Sequence, residues 1–411
     1  MKLPLLCLMI VARPAAAQDG ATTLQPGIEA RARYEGFHGN EWGSADVPDE
    51  GYLWLRLMPK AQARVGPLRG FVEGIAAYRL ISRASKGPAD ETGIDLLQAY
   101  AELSLPPGEL TTRVRGGRML MQLGSERLVS RRYGPNVPQP FDGAQVTATL
   151  GHLSVDLFRL RPVAIGLGNF DDGASHTRRL AGAYATFKRG DYGIELYRLD
   201  YANADARFAQ GSGRETRQTY GTRLFGAKRG WSWNWEAMFQ SGRFGTAPIR
   251  AWSVASETGY RFRRTTLRLR ANIASGDADR HRAALQTFNP LFPKGKYFGE
   301  LSPVGPYNIV NLHPAVETNI GRGFTLGLAG IVYWRQRRGD GIYGVPGNLV
   351  RGGDESAPRH VGNQVEAVLG WQAGPLSVSA SYSIFVPGGF IRATGSARTV
   401  HMLGLEAQFS R

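Results

Sequence analysis

Residues 265–275, TTLRLRANIAS, place Leu267, Leu269, Ala271 and Ile273 at one parity and Thr266, Arg268, Arg270 and Asn272 at the other. In a strand, successive side chains leave on opposite faces, so this order sorts apolar from polar completely. In a helix, Arg268 and Arg270 would point about 200° apart and both faces would be mixed. IEARARYEGF repeats the sorting: Ile28, Ala30, Ala32 and Tyr34 oppose Glu29, Arg31, Arg33 and Glu35. SVSASYSIF sets Val378, Ala380, Tyr382 and Ile384 against serines, and HMLGLEAQF alternates near the end of the chain.

About eighteen such segments can be marked: 28–37, 51–65, 68–81, 94–105, 110–121, 141–150, 152–162, 177–188, 191–204, 216–227, 230–242, 247–262, 265–277, 308–319, 323–336, 359–372, 375–387 and 400–409. The number is even, as single-chain bacterial membrane barrels require. The connections alternate in length. Gly66-Pro67, Pro106 to Glu109, Gly151, Arg189-Gly190, Lys228-Arg229 and Ala373-Gly374 are tight turns after even-numbered segments, and those after odd-numbered segments are mostly longer. An antiparallel up-and-down barrel with both termini in the periplasm has this parity. A soluble sandwich or propeller also alternates. Neither explains long strands with apolar residues on the outside, and a propeller would repeat about every 40 residues.

The first seventeen residues, MKLPLLCLMIVARPAAA, combine Lys2, an apolar run from Leu3 to Ala12 and a small-residue site at Ala15, Ala16 and Ala17. This is the pattern of a secretory signal peptide, leaving residues 18–411 as one barrel domain in the bacterial outer membrane. The only cysteine, Cys7, leaves with it, so the exported chain has no disulfide and no thiolate metal site. No later stretch reaches the ~18 apolar residues of a membrane helix; the best, 324–334, is broken by glycines.

The region GGRMLMQLGSERLVSRRYGPNVPQPFDGAQ resembles the alginate export family of outer-membrane barrels. The likeness rests on Gly117-Arg118, Gly124, Arg127-Leu128 and Phe141-Asp142-Gly143, preceded by LLQAYAELSL. It continues through Asp277-Ala278-Asp279, Phe288 to Pro293, Tyr297-Phe298, Gly305-Pro306, Asn308, His313-Pro314, and Tyr333-Trp334-Arg335 to Tyr343. Met119 departs from the family, which usually has a polar residue there, and Phe409 is followed by Ser410 and Arg411 where an aromatic residue usually ends the chain. The resemblance implies a loop after Arg118 folded into a pore. It implies an outer-membrane channel for an anionic polysaccharide such as alginate; a porin taking up small anionic solutes is the alternative.

Of the 50 basic residues only 7 are lysine, against 34 acidic residues. Arg31, Arg33, Arg56, Arg113, Arg115, Arg223, Arg268, Arg270 and Arg335 fall at polar positions of the marked strands. A guanidinium offers a planar fork to a carboxylate, so arginines in a lumen form a ladder of carboxylate sites. Together with Arg118 and Arg127 these are the candidate pore-lining residues, and Gly117, Phe141, Asp142 and Gly143 the structural motif. Some of these arginines instead neutralise lumen carboxylates such as Glu29, Glu35 and Glu102, and Arg118 is equally suited to lock onto Asp142. Rim arginines suit lipopolysaccharide phosphates. The aromatics of the loop 276–307 suit either stacking on sugars or packing on the rim.

Asp277, Asp279, Asp171 and Asp172 offer oxygen ligands, but adjacent acidic loop residues are usually solvated, so no metal is assigned. None of the histidines His38, His152, His176, His281, His313, His360 and His401 sits in a nucleophile motif, and Gly-x-Ser-x-Gly is absent. The expected protein is therefore no enzyme and needs no cofactor. Its expected partners are outer-membrane lipids and lipopolysaccharide, an anionic polysaccharide or small anions, and periplasmic polymer-export proteins, with no nucleic acid; the expected state is a monomer.

Overall fold

A wall with lipid on one side must satisfy every backbone N–H and C=O within itself, which a sheet achieves only when its two edges meet. In the computed structural model they do. It describes residues 23–40, 49–82, 85–105, 108–132, 134–278 and 284–411. The signal peptide, the Pro106-Pro107 turn, Asp279 and His281 lie outside the described residues.

The strands are β1 (Thr23–His38), β2 (Gly51–Val65), β3 (Leu68–Leu80), β4 (Thr92–Ser104), β5 (Leu110–Leu120), β6 (Pro140–Leu150), β7 (Leu153–Ala164), β8 (Arg178–Arg189) and β9 (Tyr192–Phe208). They continue as β10 (Gly211–Lys228), β11 (Trp231–Phe244), β12 (Ala247–Phe262), β13 (Thr265–Ala274), β14 (Ile309–Gly321), β15 (Phe324–Arg335), β16 (His360–Ala373), β17 (Leu376–Pro387) and β18 (Val400–Ser410). Each pairs antiparallel with the next. β18 returns to β1 in an unbroken register from Glu29↔Ser410 to His38↔His401, which closes the barrel.

All eighteen segments expected from the alternation are present. β1 begins at Thr23, five residues before its expected start, and β9 and β10 run past the expected loop to a two-residue connection, Ala209-Gln210. The outer ends of β9 and β10 carry polar side chains on both faces, including Asn203, Asp205, Arg207 and Arg214. They project beyond the apolar band, so the alternation that marks a lipid-facing strand stops before the strand does. The connection of β11 to β12, Gly245-Thr246, is equally short.

The parity holds in three dimensions. Leu267 and Leu269 are about half exposed on the outer wall, at 53% and 48%, while Arg31 and Arg33 on the inner face are 3% exposed. Exposed aromatics form two belts. Phe187, Tyr192, Trp231, Tyr260 and Phe262 lie near the short turns, and Tyr220, Phe239 and Trp252 adjoin one another nearer the long loops. Such belts mark the two membrane interfaces of a barrel.

The apolar core lies inside the barrel, where long loops turn inward against its wall. Phe292 of the loop between β13 and β14 packs edge-on to Phe141 at 5.1 Å and Tyr201 at 5.8 Å. Phe298 of the same loop meets Tyr333 at 5.6 Å. Phe385 of β17 and Phe390 in the short helix α1 (Gly389–Thr394) are fully buried.

Leu269→Arg, on the lipid face of β13, is expected to destabilise the folded barrel by about 2–4 kcal/mol, as a cation does near the middle of a lipid-facing strand. The inward substitution Asn272→Arg on the same strand should cost much less. Reversible denaturant unfolding from lipid vesicles measures both.

Candidate functional site in the lumen

The loop that narrows the lumen, residues 121–139, is set by the strand ends that hold it. Gly117 and Gly143 face each other across β5 and β6, with φ +129° and +155°. A Cβ on Gly117 would lie 2.3 Å from the Ala99 carbonyl oxygen, and one on Gly143 would lie 2.2 Å from that of Arg159. Only glycine fits so close a backbone approach. Beyond them Met119 and Phe141 are fully buried and the chain turns inward. There the Phe292 amide donates to the Leu128 carbonyl at 2.9 Å and the Ser130 amide to that of Phe292 at 3.0 Å, joining the two inward loops.

Arg127 anchors this loop to the far wall. It donates to Glu236 at 2.7 Å and Asn234 at 3.3 Å on β11. Glu236 also accepts from Tyr197 at 2.6 Å and from Ser125. On the near wall, Asn136 donates to the carbonyls of Leu55, Tyr78 and Asp90 at 3.0–3.2 Å. Arg56 donates to the Asn136 carbonyl at 3.1 Å and to Glu29 at 2.5 Å. Arg31 reaches the carbonyls of Gly134 and Pro135.

Most of the other candidate arginines are also paired. Arg33 is held by Glu35 at 2.6 Å, Glu300 at 2.7 Å and Glu406 at 2.8 Å. Arg115 binds Glu102 at 2.9 Å and lies over Tyr100. Arg223 binds Glu195 at 2.8 Å, Arg268 binds Glu317 at 3.1 Å and Arg270 binds Glu257 at 2.6 Å. Arg113 is exposed, with no ion pair among the described residues.

Two candidates lie elsewhere than the pore surface. Arg118 has the parity of the outward Leu110 and Val114. It locks onto Asp142 through two bonds, at 2.8 and 3.1 Å, and donates to the carbonyls of Leu96 and Asp172. It therefore fastens the loop 165–177, which pairs with the backbone of Gly93 and Ile94, to β4. Arg335 is fully buried against Phe390, its guanidinium donating to the carbonyls of Arg338, Asp354, Ala357 and Pro358. It staples the loop 336–359. At both positions the residue type suited an anion, but short backbone loops had already taken its donors.

Sequence reasoning missed Arg132 and Arg178. Arg178 opens β8 at the inward parity of Leu180 and Tyr184. Arg132, in the constricting loop, donates to the amide oxygen of Gln139. Neither has a carboxylate within 4.0 Å among the described residues. Burial, aided by the positive charge of Arg178, holds the Arg132 guanidinium down to about 10. A buried cation whose proton affinity is lowered by a second positive charge gains stability from an anion placed beside it. The sequence signal was the pair Arg131-Arg132 in a turn-rich loop, but nothing in it located Arg178 beside them.

Asp95, Asp171 and Asp172 bring carboxylate oxygens within 4.8 Å of one another beside the loop 165–177. Arg118 approaches Asp95 to 3.8 Å and supplies positive charge there. Burial, with Asp95 and Asp171 adding to it and the Gly166 amide opposing, pushes the Asp172 carboxyl up to about 6.

Arg127→Ala is expected to leave Glu236 buried without its cation, a loss on the order of 3–5 kcal/mol for a broken buried pair. The constricting loop should then detach and single-channel conductance in a planar bilayer should rise. The Asp172 shift carries its own expectation. A carboxyl with an ordinary unfolded value near ~4 and a folded value of about 6 stabilises the docked loop below the first. That contribution is lost as pH rises through the second. Hydrogen-exchange protection factors of residues 165–177, taken relative to the intrinsic rate at each pH, should be lower at pH 7.5 than at pH 4, and Asp172→Asn should flatten the difference.

The fold is shared with solved porins at low identity. OccK2 (OpdF) of Pseudomonas aeruginosa in complex with glucuronate is 13% identical, with TM-score 0.61, covering 94% of this chain and 96% of that one. OpdK of the same organism with vanillate is 14% identical, with TM-score 0.62 and coverage of 94% and 99%. A BenF-like porin of Pseudomonas fluorescens is 11% identical, with TM-score 0.63 and the same coverage. No curated protein matches the chain. The family and fold are those of outer-membrane channels, which are not enzymes. The model of the alginate export family matches residues 22–404, almost the whole barrel, and the chain belongs to that family.

Proposed function

We propose that the protein is an outer-membrane channel that passes an anionic, alginate-like polysaccharide along its lumen. The observation that carries this reading is the doublet of Arg132 and Arg178 at the inward loop, two guanidinia without carboxylate partners where most of their neighbours are paired. A polyuronate carries one carboxylate per sugar, and a bidentate guanidinium contact holds each carboxylate moderately. Moderate sites in sequence let a polyanion enter and leave, which conduction requires. Exposed Arg113, at the inward parity of β5, and Arg131, next to Arg132 in the loop, add further cations without an ion pair among the described residues. In this reading both termini and the short turns face the periplasm, where polymer-export proteins would deliver the chain.

A second reading, uptake of small carboxylates, is favoured by the neighbour solved with glucuronate, a single uronate. The two differ in the length of ligand that the lumen prefers.

Conductance of the purified protein in planar bilayers tests both. Export of a polyuronate predicts anion selectivity and current block that tightens from glucuronate to oligouronates. Removing one charged contact, worth about 1.5–3 kcal/mol, should weaken oligouronate block at least about tenfold in Arg132→Ala and in Arg178→Ala. Arg118→Ala, on the outer side, should leave the block unchanged. Cation selectivity would overturn both readings, and block no tighter for oligomers than for glucuronate would favour uptake.

A further inference from the structure

The outer wall of β6 to β10 breaks the pattern of the lipid face. Cross-strand registers place Val146, Leu157, Ala183, Arg198 and Tyr220 in one row on the outside. The next outward row toward the long loops holds Ala144, Arg159, Ala181 and Asp200. Asp142, Arg161, Arg179 and Ala202 hold the row beyond it. Arg161 and Arg179 lie just past the last paired residues of β7 and β8, Leu160↔Leu180, and line the same outer hollow. Like charges sharing a hollow repel.

Nothing in the chain relieves the repulsion. Arg159, Arg161 and Arg179 are exposed. Among the described residues they make neither an ion pair nor a side-chain hydrogen bond. The two nearby carboxylates are taken, Asp142 by both arms of Arg118 and Asp200 by Arg198 at 2.9 Å. Three guanidinia thus stand free just above an apolar band.

Beneath them runs a groove. β8 presents Ala181, Ala183 and Ala185 outward, flanked by Val155 and Leu157 on β7 and Leu196 on β9. A column of alanines between larger side chains leaves a trough along the strand on the lipid side. A cationic cluster at head-group level over an apolar trough is complementary to one kind of molecule, an anionic amphiphile.

We propose that this face is a specific binding site for the diphosphorylated glycolipid of the outer leaflet, lipid A, with a phosphate bridging Arg161 and Arg179, Arg159 beside it, and an acyl chain along the alanine column. Three free guanidinia exceed what the single phosphate of a phospholipid neutralises, whereas lipid A carries two. The site rests on the outer-membrane placement proposed above, with the long loops at the outer leaflet. It is independent of what passes through the lumen.

Native mass spectrometry of the detergent-solubilised full chain, titrated with lipid A, dephosphorylated lipid A and phosphatidylglycerol, tests it. Lipid A is expected to bind at least tenfold more tightly than either other lipid. Its binding should fall at least tenfold in the triple variant Arg159→Ala, Arg161→Ala, Arg179→Ala and persist largely in Arg161→Lys, Arg179→Lys. Unchanged lipid A binding in the triple variant, or equal binding of the dephosphorylated lipid or of phosphatidylglycerol, would overturn the proposal. Bilayer conductance of the triple variant should match the parent protein, which verifies folding. Should oligouronates fail to block the parent channel, the polysaccharide reading falls while lipid A binding still decides this one.

Discussion

The pairing of β1 with β18 is the interaction on which the rest of the structure depends. In hydrocarbon an unpaired backbone amide costs several kcal/mol, and an open sheet of these strands would present a whole row of them at each edge. Closure removes both edges and commits every strand to period two, since each residue must then face either lipid or lumen. A glycine such as Gly117 is confined by the same demand, for the wall stays continuous at its narrowest approach only where no Cβ intervenes.

Closure also decides where charge goes. The inner face receives every polar residue the outer face rejects, and the inward loops then take part of that face out of water. A charge enclosed in this way is tolerated when paired and hydrogen-bonded. Arg33 with three carboxylates, and Arg217 with Glu215 and Gln240 in full burial, meet the condition. The arginines are thus first the internal adhesive that holds loops to wall. Those free to meet a solute are the remainder, and Arg132 stands out because burial lowers its proton affinity with no carboxylate beside it.

The strands were legible because alternation is enforced by lipid at every second residue, so TTLRLRANIAS or SVSASYSIF identifies itself without a neighbour. The ends of β9 and β10 were not, because beyond the membrane nothing separates their two faces. The lumen was legible by parity, which put Arg31, Arg33, Arg115 and Arg270 inside. Partnership was not, since Arg127 meets Glu236 and Arg33 meets Glu300 across more than a hundred and more than two hundred residues respectively. Arg118 shows the limit most clearly. Its family motif marked it as important, yet only the register against Leu110 and Val114 reveals that it faces outward.

A formal charge of +16 is therefore a poor guide to the potential inside the pore. Many of the 50 basic residues are paired with carboxylates a few ångströms away, and several of the remaining arginines, Arg159, Arg161 and Arg179 among them, point away from the lumen. Polymer and lipid make opposite demands on a guanidinium: a translocated polyanion needs contacts that release it, while a resident lipid needs contacts that keep it. The structure separates the two by the wall itself. One parity of β7 and β8 places arginines on the outer wall, and the other carries Arg178 to the inner face, where its charge acts on Arg132 of the inward loop. One residue of displacement along a strand exchanges one environment for the other, so the same side chain serves both without conflict.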